Sequence, residues 1–184
     1  MPFQFERAAI PDILIVKPRS FTDARGVFME TYRAREFAAA GIETTFVQDN
    51  QSRSRRGTLR GLHYQIGKPQ GKLIRVLAGE VFDVAVDLRR SSSTFGRWVG
   101  FQMSSEELKQ LWIPRGFAHG FYVTSEWAEV LYKTTDYFAP EWERTLRWDD
   151  PAVGIEWPIS AGGRPLLSDK DAHGGTLAEA ELFD

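Results

Sequence analysis

The 184-residue chain contains no cysteine. That excludes disulfides, thiolate zinc sites and thiol nucleophiles, and it suits a reducing cytoplasm, the expected location. Histidine is scarce: His63, His119 and His173 are the only three, so an imidazole-rich metal centre has few ligands to draw on. No apolar run approaches the ~20 residues a membrane span needs. The opening MPFQFERAAIPD carries Glu6, Arg7 and Asp12, which makes a poor signal peptide, so no membrane partner is expected. Neither sign of charge dominates: 23 Lys and Arg stand against 25 Asp and Glu, a net charge of −2. Nucleic acid is therefore not an expected partner. Also missing are a GxGxxG after a strand, a GxxxxGK followed by Ser or Thr, and a GxSxG elbow. Their absence removes the usual dinucleotide, P-loop and serine-hydrolase readings.

Aromatics are plentiful, with 13 Phe, 6 Trp and 5 Tyr, a composition that favours a β-rich core. No repeat or linker interrupts the chain, and its length fits one domain over 1–184. Strand-like runs dominate: 13–18, 44–52, 72–79, 80–89, 97–104, 110–114, 116–123 and 129–138. The runs 72–79 and 80–89 flank Gly79-Glu80 and read as a hairpin. Helix is expected from Arg33 to Ala40, ended by Gly41, and as a short turn opened by Ser104 with Glu107 at capping-box spacing. Many short strands with little helix predict an all-β antiparallel sandwich, jelly roll or barrel.

Period-two alternation assigns faces. In 81–88 the apolar Phe82, Val84, Val86 and Leu88 share the expected core face, leaving Asp83, Ala85 and Asp87 on the other, open to water or to a ligand. Phe117, His119, Phe121 and Val123 share a face. Tyr132 goes with Ala128 and Val130, so its ring is expected to be buried.

The segment TLRGLHYQ (58–65) reads as a strand, yet it carries Arg60, Gly61 and His63. Strict alternation would put Arg60 and His63 on opposite faces, and a bulge at Gly61 would bring them together. Beside Lys72, Tyr132 and Asp171 of LSDKDAHG, these residues supply the parts of one reaction. His63 titrates near neutrality, a carboxylate can fix its tautomer, a cation can meet a developing oxyanion, and a phenol can return a proton. That is proton transfer next to a ketone, with no redox cofactor or metal required. The rival is a metal-dependent oxygenase of jelly-roll fold, with iron or manganese held by His63, His119 and a carboxylate. A non-catalytic binding module is the third reading.

The strings FTDARGVFMETY, FVQDNQS, LRGLHYQ, QGKLIRVLAGEVFDVAVDLR, STFGRWVG, QLWIPRGFAHGF, LYKTTDYFAP and LLSDKD cover most of the chain. Through them it resembles the dTDP-4-dehydrorhamnose 3,5-epimerase family. The resemblance implies a cupin-type jelly roll, a homodimer, and a cofactor-free and metal-free site. The implied reaction inverts carbons 3 and 5 of dTDP-4-dehydro-6-deoxy-D-glucose to give dTDP-4-dehydro-L-rhamnose, a step of dTDP-L-rhamnose biosynthesis. Residue by residue, it implies His63 as base, Asp171 as its carboxylate, Tyr132 as proton donor and Lys72 as the cation near the 4-keto oxygen. Arg60 matches a diphosphate contact, and His119 another polar contact. Asp83 matches a polar wall of the sugar pocket, and Gln48 and Asn50 match nucleotide contacts. Arg25 and Glu30 match contacts that come from the partner subunit, and Glu143 and Lys170 match further ligand contacts. Phe21 is a candidate for stacking on thymine or else a core phenylalanine. Related enzymes invert one carbon only, and Phe138 lies where tyrosines vary with stereochemical outcome among relatives.

Overall fold

A computed structural model describes residues 2–184 of the chain. Its regular structure is almost all strand. In order come β1 (Phe3–Arg7), β2 (Leu14–Pro18), β3 (Ser20–Asp23), β4 (Gly26–Met29), α1 (Ala34–Ala39), β5 (Gln48–Arg55), β6 (Leu59–Gln65), β7 (Lys72–Ala78), β8 (Glu80–Asp87), β9 (Trp98–Ser104), β10 (Gln110–Ile113), β11 (Phe117–Val123), β12 (Trp127–Thr134), β13 (Glu143–Thr145) and α2 (Asp169–Ala172). Six strands form one sheet in the order β1-β2-β10-β7-β12-β5, five form a second in the order β13-β6-β11-β8-β9, and β3-β4 is a separate hairpin. Neighbours in the two large sheets pair antiparallel. The two sheets face each other as a jelly roll, as the sequence predicts. No helix among the described residues is long and apolar enough to cross a membrane.

Between the sheets lies a core that includes Ile74, Val76, Val130, Val81, Ala85, Phe117 and Phe121. Outside the six-stranded sheet, α1 sets Phe37 edge-on against Phe3 and Phe5, over Leu73 and Trp112. Helix α1 ends as predicted at Gly41, whose φ of +88° suits a residue without Cβ. Outside the five-stranded sheet, the segment from Leu146 to Phe183 covers Leu62, Val84, Val86 and Leu88.

Three expectations are corrected. Strands β7 and β8 are not a hairpin. Gly79 turns the chain from one sheet into the other, and both edges of each strand are taken by other partners. A strand–Gly–strand pattern is the same for a hairpin and for a sandwich corner, so only long-range pairing separates them. The apolar face of 82–88 points outward, under the C-terminal segment, while Asp83, Ala85 and Asp87 point inward and are fully buried. Finally, Ser104 Oγ does accept from the Glu107 N–H at 3.2 Å, but no helix follows. The chain leaves helical geometry at Leu108, with φ +56°.

Candidate active site

The inner faces of the two sheets part toward one end and leave a cleft. The register fixes which side chains enter it. On the six-stranded sheet, Tyr132 of β12 is flanked by Asn50 of β5 and Ile74 of β7, and the next rung is Thr134 with Gln48 and Lys72. Apolar packing at Val76 and Val130 thus gives way within two rungs to amide, phenol and ammonium. On the five-stranded sheet, His63 of β6 pairs with His119 of β11, and Arg60 pairs with Phe121. Two residues of β6, Gly61 and Leu62, therefore stand opposite the single Gly120 of β11, which is a bulge. Gly61 occupies it with φ +126°, and a Cβ there would sit 2.6 Å from Gly120 Cα. The extra residue returns Arg60 to the face of His63.

Two adjoining lobes result. An outer one of about 280 Å³ is lined by Gln48, Asn50, Gln65, Gln70 and Phe138 among others. An inner one of about 240 Å³ holds Ser52, Arg60, His119 and Lys170. His63, Lys72, Tyr132 and Glu143 line both, at the junction.

At that junction His63 Nε2 lies 2.5 Å from Asp171 Oδ1. Asp171 is buried at the start of α2, where its N–H is capped by Ser168 Oγ. Burial alone would raise the Asp171 carboxyl, but hydrogen bonds from His63 and Ser168 and the Lys170 charge hold it below the usual range. Burial pushes His63 below its ordinary 6.5, with Lys170 and Lys72 adding to the effect against the pull of Asp171. The pair is therefore neutral imidazole and carboxylate near pH 7. The Nε2 proton points to Asp171, and Nδ1 keeps a lone pair, with no hydrogen-bond partner for it among the described residues. Lys72 is buried and is pushed down to about 8 by desolvation, with Asp83 and Glu143 opposing. Its Nζ donates to the His63 carbonyl at 3.3 Å. Burial raises the Tyr132 phenol, Arg60 lowers it and Glu143 adds to the rise, so it holds its proton at neutral pH. Behind His119, Asp83 takes Nε2 between its two oxygens at 2.9 and 3.0 Å.

Such a set of groups can accept a proton from a bound molecule and supply another. A family sequence model described as dTDP-4-dehydrorhamnose 3,5-epimerase matches residues 7–179. The chain belongs to that family. It is 58% identical over 178 residues to the dTDP-4-dehydrorhamnose 3,5-epimerase of Pseudomonas aeruginosa, covering 96% of this chain and 97% of that protein. Its fold superposes with a TM-score of 0.94 and 48% identity on a dTDP-6-deoxy-D-glucose-3,5-epimerase from Legionella pneumophila, solved with dTDP-4-keto-L-rhamnose and covering 97% and 95% of the two chains. ChmJ of Streptomyces bikiniensis, a 3'-monoepimerase solved with dTDP-quinovose, also matches, with a TM-score of 0.87 and 34% identity over 94% of this chain and 87% of that one. The jelly roll is thus the cupin-type fold of this epimerase family, and the chain is an isomerase.

The cleft gathers Gln48, Asn50, Arg60, His63, Lys72, His119, Tyr132, Glu143 and Lys170 around its two lobes, with Asp171 directly behind His63. Glu143 and Lys170 meet in a 2.7 Å ion pair across its rim. Asp83 is no wall of the pocket: it is fully buried behind His119 and hydrogen-bonded to it. Phe21, Arg25 and Glu30 lie outside the cleft, on or beside the β3–β4 hairpin. There Arg25 pairs with Asp23, Glu30 pairs with Arg33, and Phe21 is 53% exposed, so it is not a core residue. Gln65, Gln70 and Ser52 line the cleft without having been singled out in the sequence. For Ser52 the polar alternation Gln48, Asn50, Ser52, Ser54 along β5 was the available signal.

Proposed function

We propose that the chain inverts carbons 3 and 5 of dTDP-4-dehydro-6-deoxy-D-glucose, giving dTDP-4-dehydro-L-rhamnose in dTDP-L-rhamnose biosynthesis. The observation that carries the reading is the His63–Asp171 pair, in a cleft that His63 and Tyr132 line from opposite sheets. Neutral His63 takes the proton from the carbon next to the 4-keto group, and ionised Asp171 steadies the imidazolium. Charge moves to the 4-oxygen, where the Lys72 ammonium offsets it in a low-dielectric setting. Tyr132 returns a proton to the opposite face, which inverts the centre. The same steps serve the second carbon, and exchange with solvent restores His63 and Tyr132. Arg60 and His119 hold the diphosphate side, Gln48 and Asn50 the nucleotide, and Glu143 and Lys170 the rim. No step calls for a redox cofactor or a metal.

The functional unit is one domain over 1–184, working in the cytoplasm as a homodimer. Pairing would carry Arg25, Glu30 and Phe21 on the exposed hairpin into the partner's cleft, where Phe21 would stack on thymine. Analytical ultracentrifugation tests this, and a monomer at working concentration would refute it.

Inversion of one carbon only is the second reading, favoured by Phe138 at the outer lobe and by the likeness to a 3'-monoepimerase. Proton NMR of the sugar in deuterated water, with no added metal, decides between them. Deuterium at both carbons with a rhamno-configured product supports the first reading, and deuterium at one carbon supports the second. Bound ligand without exchange would leave a binding module. Stoichiometric iron or manganese in the purified protein would favour the oxygenase reading.

A further inference from the structure

Ser52 Oγ is a buried side-chain oxygen without a hydrogen-bond partner, and it is the one such atom among the described residues. Native structures rarely leave such a group unpaired, because it has lost its water and gained nothing. Its neighbours on the inward face of β5 are all engaged. Gln48 Nε2 donates to Asn50 Oδ1 at 2.9 Å, and Gln48 Oε1 accepts from the Phe138 N–H. Ser54 Oγ accepts from Arg60 Nε at 3.0 Å and so sets the guanidinium. Ser52 alone in this row is free, and it lines the inner lobe with His63, Lys72, Tyr132, Arg60 and His119.

We propose that Ser52 is a substrate-binding residue whose hydroxyl holds a ring hydroxyl of the sugar, an assignment that rests on the epimerase reading. Ser52 lies one rung from the Asn50–Tyr132 pair, opposite Val130. A base and a donor that flank the reacting carbons must place the sugar ring between His63 and Tyr132, and Ser52 shares that lobe. The lobe's cations suit phosphate. A neutral hydroxyl, donor and acceptor at once and free to rotate, suits another hydroxyl, including one whose carbon changes configuration.

The test compares wild type with Ser52→Ala. It measures kcat/KM for deuterium exchange at carbon 5 on the full substrate and on its 2-deoxy and 3-deoxy analogues, with dTDP affinity and Tm alongside. Ser52→Ala should lose about ten- to hundred-fold on the full substrate, the size of one buried hydrogen bond. Wild type should lose a similar factor on one deoxy analogue, where the variant loses nothing further. Binding of dTDP should not change, and Tm should hold or rise, because the substitution removes an unpaired buried hydroxyl. Exchange within two-fold of wild type on the full substrate would overturn the assignment. So would weaker dTDP binding, which would put the contact on the nucleotide. Equal losses on every substrate with a lower Tm would make Ser52 a packing residue. Wild type that exchanges no carbon-bound proton would instead overturn the epimerase reading, and this one with it.

Discussion

His63 and His119 stand opposite each other on the paired strands β6 and β11, each backed by its own buried carboxylate, Asp171 at 2.5 Å and Asp83 at 2.9 Å. They differ in reach: His63 borders both lobes of the cleft, and His119 only the inner one. His63→Asn should therefore reduce kcat by about 10²–10⁴-fold, the usual weight of a general base, with Tm little changed. His119→Asn should act mainly on KM. Steady-state kinetics of the two variants check this, and a near-wild-type rate for His63→Asn would remove it as base.

Tyr132→Phe keeps the ring that packs beside Val130 and removes only the phenol. Carbon–hydrogen exchange should persist while net inversion stalls, because His63 can still take a proton and give it back on the same face. Following deuterium incorporation and product formation in one NMR time course separates the two steps. Inversion at the wild-type rate would place the donor elsewhere.

The pH profile of kcat/KM reports on the free enzyme. His63 must be neutral, and burial holds it below 6.5, so the acid limb should fall beneath that value. Lys72 must be charged, and desolvation brings it to about 8, so activity should decline as pH rises through that region. Lys72→Arg should lose rate through altered geometry yet shift the alkaline limb upward, since guanidinium stays protonated. An alkaline limb unmoved in that variant would assign it to another group.

Gly61→Ala would place a Cβ 2.6 Å from Gly120 Cα and 2.8 Å from the His119 carbonyl, at φ +126°. Both obstacles are backbone, so the bulge itself must move. A loss of about 1–3 kcal/mol is expected from the backbone conformation alone, together with a fall in activity beyond what stability explains, because the bulge sets Arg60 and His63 on one face. Urea titration and kcat/KM at a temperature where the variant stays folded measure the two effects.

Asp87, fully buried, is gripped by Arg89, Ser92 and Thr94. Burial alone would raise its carboxyl, but these hydrogen bonds and the Arg89 N–H hold it at about 2. Its folded-state value lies below the unfolded one, so its contribution is present above about pH 4 and is lost as pH falls toward 2. That contribution is about 2–3 kcal/mol. Asp87→Asn should lower stability by that order at pH 7 and flatten the loss between pH 4 and 2, measured by denaturant midpoints. An unchanged midpoint at pH 7 would show the network to be neutral.

The strand positions from β5 to β12 and helix α1 were legible because they rest on local signals: alternation, β-branched and aromatic runs, and turn glycines. The inward placing of His119 with Phe117 and Phe121, and of Tyr132 with Val130, followed from the same alternation. The outward turn of Val84 and Val86 was not legible, since it depends on a C-terminal segment some 60 to 100 residues away closing over them. The short strands β1, β3, β4 and β13 gave no strong local pattern and exist through their partners.

The residue types of the site are legible from the chain alone, because a histidine, a lysine, a tyrosine and an arginine set in strand-forming runs are visible without coordinates. Which of them meet is a matter of long-range geometry. Asp171 reaches His63 across 108 positions of chain. The bulge at Gly61 turns Arg60 to the same side, and the Gly79 crossover puts Lys72 and Asp83 on facing sheets. Asp83 sits behind His119 instead of on the pocket wall, and Ser52 is left without a partner. Each of these depends on where two sheets lie relative to one another, which periodicity along a single strand does not encode.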